Sequence, residues 1–257
     1  MTTSTSPRPI ALITGGSRGL GRAMALHLAD AGTDSIITYR RDAAAAEAVV
    51  AAVAARGGRA VALRLEVGDD QAYPAFVDAV RAALTTTWRR DRLDFVVHNA
   101  GAGLHRAFVE TTAAELDELY RVHLRAPFLL TQALLPVVRD GGRIVNISSG
   151  LARFSFPNAA AYAAMKGGVE VLTRYLALEL APRKITVNTL APGAIATDFN
   201  GGAVRDNPQL NQLIAGQTAL GRVGVADDIG GAIAALLGPG AGWINGQRIE
   251  ASGGMAL

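Results

Sequence analysis

The sequence predicts an α/β fold, a single open parallel sheet of about seven strands, doubly wound with helices on both faces. Three observations predict it. Short β-branched or apolar runs alternate with longer helical patterns from end to end of the 257 residues, an order that right-handed crossovers turn into a parallel sheet. Apolar residues make up 50% of the chain against 18% charged, enough for a large core and too apolar for a disordered chain. No composition shift, linker or fixed-period repeat marks a second domain, so residues 9–257 read as one domain behind a disordered Thr/Ser-rich tail over residues 1–8.

The elements follow in order. Residues 10–14 read as the first strand and about 20–31 as the first helix. A second strand spans 35–39, and the Ala-rich helix over 43–56 stops at Gly57-Gly58. The third strand is 60–67, with a helix over about 71–86. The fourth strand, 93–99, leads to a helix over about 112–138 with a bend expected at Pro127. Residues 143–148 form the fifth strand and 159–180 a long helix; 184–191, 226–237 and 247–251 complete the set as strand, helix and strand. Between about 193 and 221 the periodicity fades among Asn, Gly and Pro. A long connection of this kind is usually functional, and a flexible substrate lid is expected at about 194–219.

Composition excludes several function classes. Cys is absent, which rules out disulfide scaffolds, thiolate metal sites and cysteine nucleophiles. His27 and His105 have no ligand-like spacing with each other or with carboxylates, so no metal site is expected. A net charge of +3, with no segment of one sign, gives nucleic acid no footprint. The longest uncharged run, 229–247, is broken by Gly238-Pro239-Gly240 and Asn245, and the first eight residues lack the apolar core of a signal peptide. No membrane contact is expected, and the expected location is the cytoplasm.

The first strand runs into Thr14-Gly15-Gly16-Ser17-Arg18-Gly19-Leu20-Gly21, which opens the first helix. Glycines let a phosphate approach the backbone closely, and the helix N-terminus offers it unpaired N–H groups and a positive dipole end. At the end of the second strand, where an NAD site would carry a carboxylate for the ribose 2′-hydroxyl, the chain has Tyr39, Arg40 and Arg41. Arg40, with Arg18 from the turn, can fork onto a 2′-phosphate, which favours NADP(H).

Tyr162 and Lys166 lie four apart on one helix face, so a phenol and an ammonium act on one small volume. Ser149 closes the fifth strand 13 residues earlier, and His98-Asn99-Ala100-Gly101 closes the fourth, at the strand ends where open α/β sheets bind ligands. Carbonyl reduction needs a hydride, a proton and stabilisation of the developing alkoxide. Tyr162 can supply the proton, Lys166 is expected to lower its pKa from about 10, and Ser149 can hydrogen-bond the oxygen.

These motifs together resemble the short-chain dehydrogenase/reductase family, from about Pro9 to Gly254. Thr14 to Gly21 fits its T-G-x-x-x-G-x-G, Asn99-Ala100-Gly101 its N-A-G, Ser149 with Tyr162 and Lys166 its catalytic set, and Asn188 with Pro192-Gly193 its N-x-x-x-P-G. The resemblance implies a Rossmann-type sheet and NADP(H) held by Gly15, Ser17, Arg18, Gly19, Leu20, Gly21, Tyr39, Arg40, Arg41, Glu66, Val67, Asn99, Ala100, Gly101, Tyr162, Lys166, Pro192, Gly193, Ile195 and Thr197. It also implies a ketone or 3-oxoacyl-type substrate, as in 3-oxoacyl-carrier-protein reductases, and a homotetramer or dimer through the long fourth and fifth helices. His123 departs from the family, which has Asn there to lead a water towards Lys; His123 serves through its carbonyl, relays protons itself, or simply packs. His98, Glu66 and Ser252 also depart, replacing Asn, Asp and Asp. Phe154, Phe156 and Phe199 flank the inferred crevice, as apolar pocket or as core. Arg121, Arg125 and Arg174 read as an attractant for an acidic carrier or as solvated surface. Two other functions remain open on these residues: an alcohol dehydrogenase running in the oxidative direction, and a cofactor-binding sensor or scaffold without turnover.

Overall fold

The computed structural model describes residues 8–257. Of the tail expected over 1–8, residues 1–7 lie outside the described residues, and Arg8 is tied to the sheet by an ion pair with Asp34 at 3.0 Å. The elements run β1 (Ile10–Ile13), α1 (Gly19–Asp30), β2 (Asp34–Tyr39), α2 (Ala43–Ala54), β3 (Ala60–Arg64), α3 (Tyr73–Ala83), β4 (Leu93–His98) and α4 (Ala113–Tyr120). They continue with α5 (Ala126–Leu134), β5 (Val138–Ile147), α6 (Ala160–Glu179), β6 (Thr186–Pro192), α7 (Ala203–Asp206), α8 (Pro208–Gly216), α9 (Ala226–Leu237) and β7 (Arg248–Ala251).

The strands form one sheet in the order β3-β2-β1-β4-β5-β6-β7, with every neighbouring pair parallel. β1, β2, β4 and β6 are buried almost throughout, because helices cover both faces, so their side chains do not alternate between core and solvent. Successive side chains still point to opposite faces. Ile10 and Leu12 join Val77, Leu130 and Ala177 from α3, α5 and α6, while Ala11 and Ile13 join Met24, Val49 and Ile233 from α1, α2 and α9. The strand order reverses between β1 and β4, so their carboxyl ends open the crevice that this architecture uses for ligands.

Four elements differ from the sequence reading. The helix expected over 112–138 is two helices, and the break precedes Pro127: residues Arg121–Arg125 widen into a π-type turn, leaving Pro127 in the first turn of α5, where its missing N–H costs least. The third strand stops at Arg64, short of 67, and β5 begins earlier, at Val138, passing through Gly141 with φ +73. The connection expected as an irregular lid carries α7 and α8; Asn207 accepts the Leu210 N–H at 3.0 Å and Pro208 takes the first helical position. No helix among the described residues is long and apolar enough to cross a membrane.

Candidate active site

The glycine turn is built by contacts that leave no room for side chains. Gly15 and Gly19 have φ of +67 and +52, where an L side chain is strained. A Cβ at Gly16 would lie 2.8 Å from Ile37 Cγ2, and one at Gly21 would lie 2.7 Å from Asn99 Nδ2. Asn99 in turn donates from Nδ2 to the carbonyls of Thr14 at 2.9 Å and Gly15 at 3.1 Å, which joins the ends of β1 and β4. The Thr14 hydroxyl accepts the N–H groups of Asn99 and Ala100 at 3.0 and 2.9 Å. At Gly19 the nearest neighbour to a Cβ is Thr197, at 3.9 Å. The turn therefore faces an open cradle at a helix N-terminus, with Thr197 across it, and this fits a pyrophosphate.

Ser149, Tyr162 and Lys166 meet at the end of β5 and the start of α6. Lys166, 5% exposed, donates from Nζ to the Ile147 carbonyl at 2.8 Å, and its nitrogen stands 5.5 Å from the centre of the Tyr162 ring. Burial lowers the Lys166 ammonium to about 7. Burial pushes the Tyr162 phenol up from its ordinary value, and a hydrogen bond with the Ser149 side chain pulls the other way. The expected lowering of the phenol by the Lys166 charge is not found: burial dominates, and the Ser149 hydrogen bond is what opposes it. Ser149 Oγ also accepts the Leu151 N–H at 3.2 Å, which leaves its own hydroxyl proton free to donate.

His123 comes from the π-type turn and touches this cluster. Its ring packs edge-on against Tyr162, centroids 5.2 Å apart at 86°, and Nε2 stands 2.6 Å from the Ala102 carbonyl, which assigns the proton to Nε2. Burial, then the Lys166 charge, lower His123 to about 3 against the pull of the Ala102 carbonyl, so the ring is neutral near neutral pH. A Cβ at Gly101 would lie 2.8 Å from His123 Cε1. His98 is structural: it is buried, held neutral with a pKa near 4 by that burial, and bonded to the Thr131 hydroxyl at 2.8 Å.

The remaining candidates fall along the crevice or its rim. Leu20 and Gly21 continue the turn into α1, with Ser17 half-buried and Arg18 exposed at the helix start. Tyr39 is half-buried, Arg40 and Arg41 are exposed, and Arg40 is ion-paired with Glu66. Val67 is buried, its carbonyl accepting the Tyr73 hydroxyl at 2.6 Å. Pro192 ends β6, and a Cβ at Gly193 would lie 2.8 Å from Ser252. Ile195 bridges to Gly224 just before Thr197. Asn188 serves the fold, bonding the Ile244 carbonyl and the Gln247 N–H. Phe199 tilts towards Tyr162 with ring centres 6.0 Å apart, whereas Phe154 and Phe156 pair with each other at 6.5 Å. Arg121 and Arg125 are paired with Glu118 and Asp70, and Arg174 bonds the Glu170 carbonyl of its own helix. The sequence reading missed the charged group beneath Ser149: Glu170, Arg248, Glu250 and Arg153 join in sequence by ion pairs of 2.7–2.8 Å. Glu170 four residues after Lys166 was the available signal, since it shares that helix face.

Residues 15–256 match the family model described as enoyl-(acyl carrier protein) reductase. The hydroxynaphthalene reductase-like protein Arp2 of Metarhizium brunneum is 35% identical over 257 residues, covering 95% of this chain and 94% of that protein. Among solved structures, the promiscuous reductase LugOII, which catalyses keto-reduction at C1 during lugdunomycin biosynthesis, superposes with a TM-score of 0.91 at 39% identity, covering 97% of this chain and 98% of that one. The angucycline C-6 ketoreductase LanV, solved with bound NADP, gives 0.91 at 34%, covering 96% and 95%. With this sheet order, glycine turn and Ser–Tyr–Lys cluster, the chain belongs to the short-chain dehydrogenase/reductase family. It is an oxidoreductase of carbonyl or hydroxyl groups that works with a nicotinamide cofactor.

Proposed function

We propose that the protein is an NADPH-dependent ketoreductase that converts a ketone on a fused-ring aromatic skeleton to a secondary alcohol, with Tyr162 as the proton donor. The observation that carries this reading is the convergence of Ser149, Tyr162 and Lys166 beside the Gly15–Gly21 cradle. When bound, NADPH supplies the hydride. The chain's own groups do the rest. Burial keeps the Tyr162 phenol protonated, so the proton that the reductive direction needs is present on it. The Ser149 hydroxyl donates to the developing alkoxide. Lys166, fixed on the Ile147 carbonyl, stays within reach of the Tyr162 ring to favour phenolate once the proton has left. His123 is neutral and serves as a positioning group, packing the Tyr162 ring and holding the 99–102 segment.

Gly15, Ser17, Gly19, Leu20 and Gly21 would hold the pyrophosphate of NADP(H), and Arg18, Arg40 and Arg41 its 2′-phosphate. Tyr39, Glu66, Val67, Asn99, Ala100 and Gly101 would line its adenine and ribose side, and Pro192, Gly193, Ile195 and Thr197 its nicotinamide side. The LanV structure with NADP supports this choice, and Arg40 would have to give up its pair with Glu66 to reach the phosphate. The aromatic substrate class is supported by the names of Arp2 and LanV and by Phe199 beside Tyr162. An acyl carrier is disfavoured, because Arg121 and Arg125 are neutralised within the chain. Residues 9–257 act as one domain, cytoplasmic and homo-oligomeric. The exposed Tyr120, Phe128, Val171, Tyr175 and Leu178 on α4, α5 and α6 support dimer or tetramer contacts there.

The test is NADPH oxidation followed at the nicotinamide absorbance with bicyclic aromatic ketones and with an acetoacetyl thioester. The expected outcome is turnover of the aromatic ketones with kcat/KM at least about tenfold above the thioester. The reverse order would move the substrate to the 3-oxoacyl class, and no oxidation with any ketone would leave a nucleotide-binding protein without turnover.

A further inference from the structure

The position of the Ser149 hydroxyl is set by the backbone it caps, since Oγ accepts the Leu151 N–H. That backbone is itself held from below by a single guanidinium. Arg248, on β7, commits each of its three nitrogens to a different partner: Nε to Glu170 Oε1 at 2.8 Å, Nη1 to Glu250 Oε2 at 2.8 Å, and Nη2 to the Ser149 carbonyl at 3.3 Å. Glu170 then returns to the neighbouring residue, its Oε1 accepting the Ser148 hydroxyl at 2.6 Å. One ion pair therefore grips two consecutive residues at the end of β5. It is well shielded, with the Arg248 and Glu170 side chains 23% and 13% exposed. Glu250 extends the group to Arg153, whose Nη2 and Nη1 hold the Met255 and Ala256 carbonyls at 2.7 and 3.0 Å.

We propose that Arg248 is a positioning residue for the reduction, holding the Ser149 hydroxyl at the reacting oxygen through the Ser149 carbonyl and the Glu170–Ser148 bond. Three features point to position rather than to fold alone. The contact falls on the main chain of the one residue whose hydroxyl faces the phenol. Glu170 stands on the same face of α6 as Lys166, so the pair ties serine and lysine to a common frame. The fork of Arg is required, because an ammonium cannot present three coplanar donors to two carboxylates and a carbonyl.

This inference rests on the reductase reading, and its test separates the two. Arg248→Lys and Arg248→Met are compared with wild type in kcat, in NADPH dissociation constant and in amide exchange of the 148–152 segment. The expected result for Arg248→Lys is a kcat lower by about 10- to 100-fold. NADPH affinity stays unchanged within about twofold, the 148–152 amides exchange faster, and those of β1 and β4 do not. Introduced into Ser149→Ala, the same substitution lowers kcat by less than about threefold, because the group it positions has gone. An equal fall in both backgrounds, or unchanged kcat and exchange in Arg248→Lys, overturns the proposal; should Arg248→Met fail to fold, the lysine variant alone carries the decision. Absence of turnover in wild type would sink the reductase reading, while the exchange measurement would still report whether Arg248 holds Ser149.

Discussion

At Tyr162 and Lys166, burial moves two ionisable groups in opposite directions, raising the phenol and lowering the ammonium to about 7. Both shifts favour the neutral form, as expected where water is excluded. The i,i+4 spacing was enough to bring the two groups together, but it carried no information about how deeply they would be buried, and burial dominates the phenol's pKa. Arg40 is the converse case. Its place after β2 was legible, yet its partner Glu66 comes from just beyond β3, and only the β2–β3 pairing brings the two together. Arg40→Ala is expected to weaken NADPH binding about 10- to 100-fold, the loss of one charge-assisted contact. NADH binding should be unchanged in a fluorescence titration of both cofactors; equal losses for the two would remove Arg40 from the phosphate site.

The active-site wall depends on how the π-type turn between α4 and α5 meets the segment after β4. The turn projects His123 under Tyr162, and Gly101 is the only residue type that leaves room for the ring. Gly101→Ala is expected to destabilise the protein by about 1–3 kcal/mol, the usual range for overpacking a tight site, measured by denaturant unfolding. Much of that loss should be recovered when His123→Ala is added, because the two substitutions share one contact. Full additivity would show that the strain lies elsewhere. No residue pattern announced the π-type turn. Pro127 signalled a disturbance in the helix, but the widened turn absorbs the proline's missing donor and moves the break towards His123.

Across the whole molecule, the order of strands was more legible than their limits. Alternating apolar runs and helical periods predicted seven strands in a doubly wound sheet, and the reversal between β1 and β4 places Gly15 beside Ala100. The glycine turn, Ser149, Tyr162 and Lys166 were readable because each sits at a strand end or early in a helix, where local spacing fixes position. The Arg153–Glu250–Arg248–Glu170 group was not, because its members meet only after β5, β6 and β7 have paired. The helices within 194–219 were hidden by composition, since Asn207-Pro208 reads as a turn until its cap to Leu210 is seen. On the proposed reading, the fold serves to bring a phosphate cradle and a proton donor to one crevice. The most direct test compares wild type with Tyr162→Phe in a single nicotinamide-absorbance assay with a bicyclic aromatic ketone, with NADPH binding measured alongside. Both proteins should bind NADPH equally, and the phenylalanine variant should turn over at least about 100-fold more slowly; equal rates in the two would contradict Tyr162 as the proton donor.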